Sequence, residues 1–160
     1  MIDTHAHLFY LKKQLKDVVA KAKKEGVTHI INVGVNIDSA RQALKQAQEY
    51  PGYISATIGV HPCDVAGFSG FKTLKKELSI SNYVAVGEIG LDYYHMSAPK
   101  KEQIECFKKQ LDLAREFNLP AIIHSRESDD DMKLILNEYQ DVKKVLHCFS
   151  SSVDFALSVL

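Results

Sequence analysis

Six times along the chain, a short run of β-branched and aliphatic residues is followed by an apolar stripe at helical spacing. Alternation of this kind specifies parallel βα units, because a crossover must carry the chain back before a parallel neighbour can begin. The strand-like runs are residues 2–7, 28–35, 54–61, 83–92, 119–125 and 142–149. Between them, Leu11, Leu15, Val18, Val19 and Ala22 form a first stripe closed by Gly26. Ala40, Ala43, Leu44 and Ala47 form a second, with Asp38 or Ser39 as cap and Pro51-Gly52 as stop. Phe71, Leu74 and Leu78 make a shorter third. Ser97 and Pro99 open a long fourth helix through Ile104, Phe107, Leu111 and Ala114, ending near Asn118. Asp129, Asp130 and Asp131 suit the start of a fifth, with Met132, Ile135, Leu136 and Tyr139 inward. Ser152 is placed to cap a sixth through Val153, Ala156, Leu157 and Leu160.

Units of this kind close into a (β/α)8 barrel or spread into an open, doubly wound sheet. No G-x-G-x-x-G follows the first strand, which weighs against the dinucleotide-binding form. Histidine or glutamate near the C-terminal ends of several strands favours the barrel, whose sites are built there. A full barrel takes roughly 250 residues, so 160 residues hold about six of the eight units. The expectation is a single α/β domain, residues 1–160, of TIM-barrel type and truncated at the C-terminus. Its first and sixth strands would present open edges, which invite self-association.

The chain carries 20 basic and 20 acidic residues. That balance removes any general electrostatic drive toward nucleic acid or an anionic membrane, so a polyanionic substrate would have to be gripped locally. Cys63, Cys106 and Cys148 are odd in number and lack C-x-x-C spacing, as expected for reduced thiols in the cytoplasm. No signal-peptide pattern or apolar run of transmembrane length is present, so no membrane association is expected.

Within Ile2-Asp3-Thr4-His5-Ala6-His7, the period of a strand puts Asp3, His5 and His7 on one face. Neutral imidazole is a common ligand for divalent metals, and a neighbouring carboxylate such as Asp3 can fix its tautomer. His124 ends the fifth strand, His147 lies near the end of the sixth, and Glu88 sits in the fourth. Taken singly, His124 or His147 reads as a core histidine. Together with His5 and His7 they would converge at one barrel mouth and hold two divalent ions bridged by Glu88. Two such ions can activate water and stabilise both oxygens of a phosphoryl displacement. A nitrogen-rich site suits Zn²⁺ or Mn²⁺ better than Ca²⁺.

His61, after the third strand, could contact a phosphate, move a proton, or simply fill the barrel top. Arg126, two residues beyond His124, could meet a phosphate or pair with Glu127 or Asp129. His29 falls at the opposite end of its strand and His95 in a loop, and neither is assigned a role. Strand alternation turns Cys148 away from the mouth, toward packing.

These residues also resemble the TatD-like metal-dependent hydrolases along essentially the whole chain. The resemblance rests on Asp3-Thr4-His5-Ala6-His7, Gly59-Val60-His61-Pro62 and the block Gly87-Glu88-Ile89-Gly90-Leu91-Asp92-Tyr93-Tyr94. It continues through Gln103, Phe107, Gln110-Leu111, Leu119-Pro120, Ile123-His124-Ser125-Arg126 and His147-Cys148-Phe149-Ser150. It implies a (β/α)8 barrel, metal ligation by His5, His7, Glu88, His124 and His147, and deoxyribonuclease activity with Mg²⁺, Mn²⁺ or Zn²⁺. His61 and Arg126 match positions that fit substrate-phosphate contacts. Glu127 and Ser151 depart from the family's usual Asp and Gly, and a late Glu-Thr-Asp segment supplying an aspartate ligand has no counterpart here.

Three functions follow as alternatives. One is a divalent-metal-dependent deoxyribonuclease acting on DNA or another phosphodiester. Another is a catalytically silent barrel fragment that binds metal or a partner. The third is a metal-dependent hydrolase of a small ester or amide.

Overall fold

A computed structural model describes residues 1–159. Six strands alternate with six helices: β1 (Ile2–Ala6), α1 (Leu15–Lys24), β2 (His29–Asn32), α2 (Ile37–Glu49), β3 (Ile54–Ala56) and α3 (Phe71–Ile80) make the first half. The second half is β4 (Val86–Asp92), α4 (Lys100–Glu116), β5 (Ala121–Arg126), α5 (Asp129–Glu138), β6 (Lys144–Leu146) and α6 (Val153–Val159). Every strand pairing is parallel, β1 with β2 and β2 with β3, then β4 with β5 and β5 with β6. A bridge between Ile58 and Val86 joins the two halves, so the strands follow one another in chain order. Among the described residues the sheet does not close, and β1 and β6 form its edges.

Burial follows from that order. β4, in the middle, is buried at all seven positions, as expected for a parallel strand covered on both faces. Its neighbours Ile58, Phe107, Leu111 and Ile123 are inaccessible and form the centre of the main core. At the edge, β1 is exposed through Ile2, Asp3 and Thr4.

Three strands are shorter than hydropathy predicts. Of residues 54–61 only Ile54–Ala56 pair as a strand, because the following residues take other partners. Thr57 donates to the Asn32 carbonyl at 3.2 Å, Ile58 to Ala85 at 3.3 Å and His61 to Val35 at 2.8 Å. Likewise β4 begins at Val86 rather than residue 83. β6 ends at Leu146, although His147 still donates to the Ile123 carbonyl at 3.0 Å. Cys148 then turns the chain with φ +47°, so strand alternation no longer applies to it and it is exposed, not packed.

The helix ends are corrected in one place. The cap of α2 is Asn36, not Asp38 or Ser39. Asn36 Oδ1 accepts from the Ser39 N–H at 2.9 Å, and Ser39 Oγ reciprocates to the Asn36 N–H at 3.0 Å. In α1 the stripe starts at Leu15, leaving Leu11 exposed before it. Ser152 caps α6 as predicted, accepting from the Phe155 N–H at 3.1 Å. Leu160 lies outside the described residues.

Candidate metal centre

Glu88 is the hub. Its side chain is only 4% exposed, and five imidazoles face its two oxygens. His5 Nε2 and His7 Nε2 lie 3.3 and 3.6 Å from Oε2. His147 Nε2, His124 Nδ1 and His61 Nε2 lie 2.9, 3.2 and 3.7 Å from Oε1. Burial alone would push the Glu88 carboxyl up. The imidazoles of His124, His147 and His5 against its oxygens outweigh it and hold the group well below the usual carboxylate range.

The five rings come from four parts of the scaffold. His5 lies near the end of β1 and His7 just beyond it. His61 precedes the short 3₁₀ turn Pro62–Asp64. His124 lies in β5, opposite Gly90 of β4, and His147 follows β6. Gly90 permits the close strand approach, since a Cβ there would lie 2.0 Å from the His124 carbonyl oxygen.

Tautomers, assigned from hydrogen-bond partners, divide three of the rings by role. A carbonyl only accepts, so His7 Nδ1, 2.7 Å from the Val33 oxygen, carries the proton there. In the neutral ring Nε2 then points a lone pair at the cluster. His124 behaves alike: Nε2 faces Asp92 Oδ2 at 3.0 Å, leaving Nδ1 toward Glu88. His61 is reversed. Its Nδ1 accepts from the Cys63 N–H at 3.1 Å, so a neutral ring carries its proton on Nε2, toward Glu88.

The surroundings tune these rings in opposite directions. Burial lowers His7 and His61 below the ordinary histidine value, despite the charge of Glu88. Burial would also lower His124, but Glu88 and Asp92 on its two sides raise it.

The donor set fits a divalent cation. His5 Nε2 and His7 Nε2 approach within 3.3 Å, and each is a similar distance from Glu88 Oε2. Tetrahedral ligands at 2.0–2.1 Å from zinc are spaced by roughly 3.4 Å. His5, Glu88 and His147 form one group whose ligand atoms lie within 4.8 Å of one another, and His61, Glu88 and His124 form another. In the second group the His61 proton favours His61 as a donor beside the cation rather than a ligand.

Asp3 and Arg126 stand apart from the hub. The Asp3 carboxylate accepts from the His5 backbone N–H at 3.1 Å and orients the strand rather than an imidazole. The Arg126 guanidinium rests over the Tyr94 ring, 5.0 Å from its centroid. Among the described residues it makes no ion pair with Glu127 or Asp129. Arg126 and His147 border an open cavity of about 750 Å³ that also contacts Lys100, Ser128 and Phe149.

Sequence reasoning gave no role to Asp92, which orients His124, although it shares the strand period of Glu88. Two glutamines of α4 are also part of the support. Gln110 Oε1 accepts from the Val60 N–H at 2.7 Å, and its Nε2 donates to the Val60 carbonyl at 3.1 Å. Gln103 clasps Asp92 in the same way, at 2.8 and 3.0 Å. Both amides are buried, and their seven-residue spacing is two helical turns. They stand in for missing sheet partners next to His61 and at Asp92.

Comparison with known proteins gives this geometry a lineage. The family model for TatD-related DNases matches residues 2–160. The chain belongs to the TatD family. It is 37% identical to the metal-dependent hydrolase YabD of Bacillus subtilis (strain 168), with 98% of this chain and 63% of YabD covered. It is 35% identical to the 3'-5' ssDNA/RNA exonuclease TatD of Pantoea sp. (strain At-9b), covering 88% of this chain and 55% of that protein. The crystal structure of YJJV, a TatD homolog from Escherichia coli K12, superposes with a TM-score of 0.89 at 29% identity. That match covers 99% of this chain and 64% of YJJV. An amidohydrolase from Saccharomyces cerevisiae shares the fold at a TM-score of 0.80 and 20% identity. The chain thus spans a little over half to under two thirds of these TatD relatives, as six units of a TIM-type barrel. Among the described residues no helix is long and apolar enough to cross a membrane.

Proposed function

We propose that the chain is a divalent-metal-dependent phosphodiesterase domain of the deoxyribonuclease type, acting on a nucleic-acid strand. The observation that carries this reading is the convergence of four imidazoles from three strand ends on the single buried carboxylate of Glu88. His5, His7, Glu88 and His147 would hold one ion, and Glu88 with His124 a second, of Mg²⁺, Mn²⁺ or Zn²⁺ type. The chemistry a divalent cation supplies there is Lewis-acid stabilisation of charge developing on a phosphoryl oxygen.

The chain's own groups supply positioning and protons. Asp92 and the Val33 carbonyl fix His124 and His7, so that neither ring must reorient when a cation or substrate arrives. His61 holds a proton on Nε2 at the rim, where it can meet a phosphoryl or leaving oxygen. Arg126, stacked on Tyr94 and bordering the open cavity, offers a planar donor pair to a neighbouring phosphate. The exonuclease name of the Pantoea relative supports a strand end as substrate. The three free cysteines support a reducing, cytoplasmic setting.

The test is cleavage of an end-labelled single-stranded DNA by the purified chain in Mg²⁺, Mn²⁺ or Zn²⁺. Glu88→Ala is expected to abolish it. Cutting that persists in that variant, or an amide substrate hydrolysed in preference to DNA, would overturn the proposal.

A further inference from the structure

A second constellation lies on the far side of His124 from Glu88. Asp92 is 1% exposed, and its Oδ1 is tied to the backbone N–H groups of Tyr94 and His95 at 3.1 and 2.7 Å. Its Oδ2 is approached from three directions: by His95 Nδ1 at 2.8 Å, His124 Nε2 at 3.0 Å and Cys63 Sγ at 3.9 Å. One carboxylate oxygen offers about two lone-pair positions, so three donors overcommit it. The two histidines are within ordinary hydrogen-bond distance of Oδ2, and the thiol faces the same oxygen from farther off.

We propose that Cys63, Asp92 and His95 form a separate site for a soft divalent cation of the zinc type, adjoining the Glu88 cluster through their shared contact with His124. Their ligand atoms, Sγ, Oδ2 and Nδ1, all lie within 4.8 Å of one another. A tetrahedral zinc with 2.3 Å bonds to sulfur and 2.0–2.2 Å bonds to nitrogen and oxygen spaces its ligands by roughly 3.4–3.6 Å. Reaching that spacing means drawing the thiol in by a few tenths of an ångström from 3.9 Å and moving His95 out by slightly more from 2.8 Å. His95 lies in a loop with its side chain 59% exposed, resting edge-on against Tyr94, so solvent can reach it and supply a fourth ligand.

Filling the site resolves the crowding at Oδ2. One lone pair goes to the cation and the other keeps its hydrogen bond from His124. His95 gives up its Nδ1 proton to solvent and carries one on the exposed Nε2 instead, freeing the Nδ1 lone pair for the cation, and the thiol loses its proton to solvent. A sulfur, a nitrogen and an oxygen together favour Zn²⁺ over Mg²⁺ or Ca²⁺, which prefer oxygen alone. Placed there, the cation adds positive charge next to the carboxylate that orients His124. The site would exist whether or not the chain cleaves nucleic acid.

Cobalt makes the experiment specific, because sulfur-to-cobalt charge transfer absorbs in the near ultraviolet while imidazole and carboxylate ligands give only weak visible bands. Titration of the purified chain with Co²⁺ is expected to produce that band, to lose it in Cys63→Ser and to keep it in Cys148→Ser. His95→Ala is expected to weaken the affinity read from the band by at least about tenfold. Absence of the band in the unmodified chain, or its survival in Cys63→Ser, would overturn the site. A band unchanged in His95→Ala would do so too, since the thiol would then serve the Glu88 cluster. Alkylation mapped by peptide mass spectrometry gives a check without variants: Zn²⁺ should protect Cys63 but not Cys148, and equal labelling of Cys63 with and without Zn²⁺ would count against it.

Discussion

The imidazoles of His5 and His147 stack, with centroids 3.7 Å apart and planes 12° from parallel. They come from opposite edges of the sheet, and both turn Nε2 toward Glu88. The pair therefore closes one side of the cluster across a gap where no strand pairing joins β1 to β6 among the described residues.

Removing one ring should open that side. His147→Ala is expected to reduce Zn²⁺ affinity by at least about 100-fold, the upper end of what losing even a supporting residue costs a metal site. Isothermal titration of the metal-free chain measures it. Unchanged affinity would mean that His147 only packs against His5.

The amide clasp at Val60 is a separate test of the scaffold. Gln110→Ala leaves a buried backbone N–H and a buried carbonyl without partners, at about 1–3 kcal/mol each. A loss of about 2–6 kcal/mol in urea unfolding is expected. Because the next residue is His61, activity at temperatures where the variant is folded should fall as well.

Much of this was readable in the residues. The six-fold alternation of strand and helix is met by the structure, since buried parallel strands leave continuous aliphatic runs such as that around Ile89. That His5, His7, His124 and His147 approach one point followed from a shared rule, since each sits near or just past the C-terminal end of a strand, whereas Glu88 reaches them from within β4. What pattern could not give was set by tertiary partners. The direction of the His61 proton depends on the Cys63 N–H, and that of His7 on the Val33 carbonyl. The shortened β3 depends on tertiary partners of the residues after it, Ala85 for Ile58 and Val35 for His61, and the turn at Cys148 on a backbone conformation that hydropathy does not encode.

Gly90 should tolerate no side chain. It has φ +138°, and an added Cβ would meet backbone of β5, which cannot move aside without shifting His124. Gly90→Ala is expected to cost at least about 3 kcal/mol, combining backbone strain with overpacking. Gly26→Ala, at φ +82° with nothing within 4 Å, should cost only about 1–2 kcal/mol. Equal effects in denaturant unfolding would contradict the close approach.

Tyr83 predicts an alkaline weakness. Its hydroxyl is buried without a partner among the described residues, and burial, reinforced by Glu77, pushes its pKa up to about 12. An unfolded tyrosine ionises near 10, so the unfolded chain gives up this proton first. The stability tied to it is complete below about pH 10 and is lost as pH rises toward 12, by about 1.4 kcal/mol per unit. Tyr83→Phe should flatten that decline and leave neutral stability unchanged or raised by up to about 1 kcal/mol. Urea midpoints at neutral pH and at pH about 11 decide it.

Gln103 and Gln110 lie two turns apart on a single rigid rod, and each holds a different wall of the imidazole cage. A tilt of α4 would therefore carry the His61 wall and the Asp92 wall along in concert. Substitutions on its outward face, far from any reacting atom, would then retune proton delivery and His124 alignment as one adjustment.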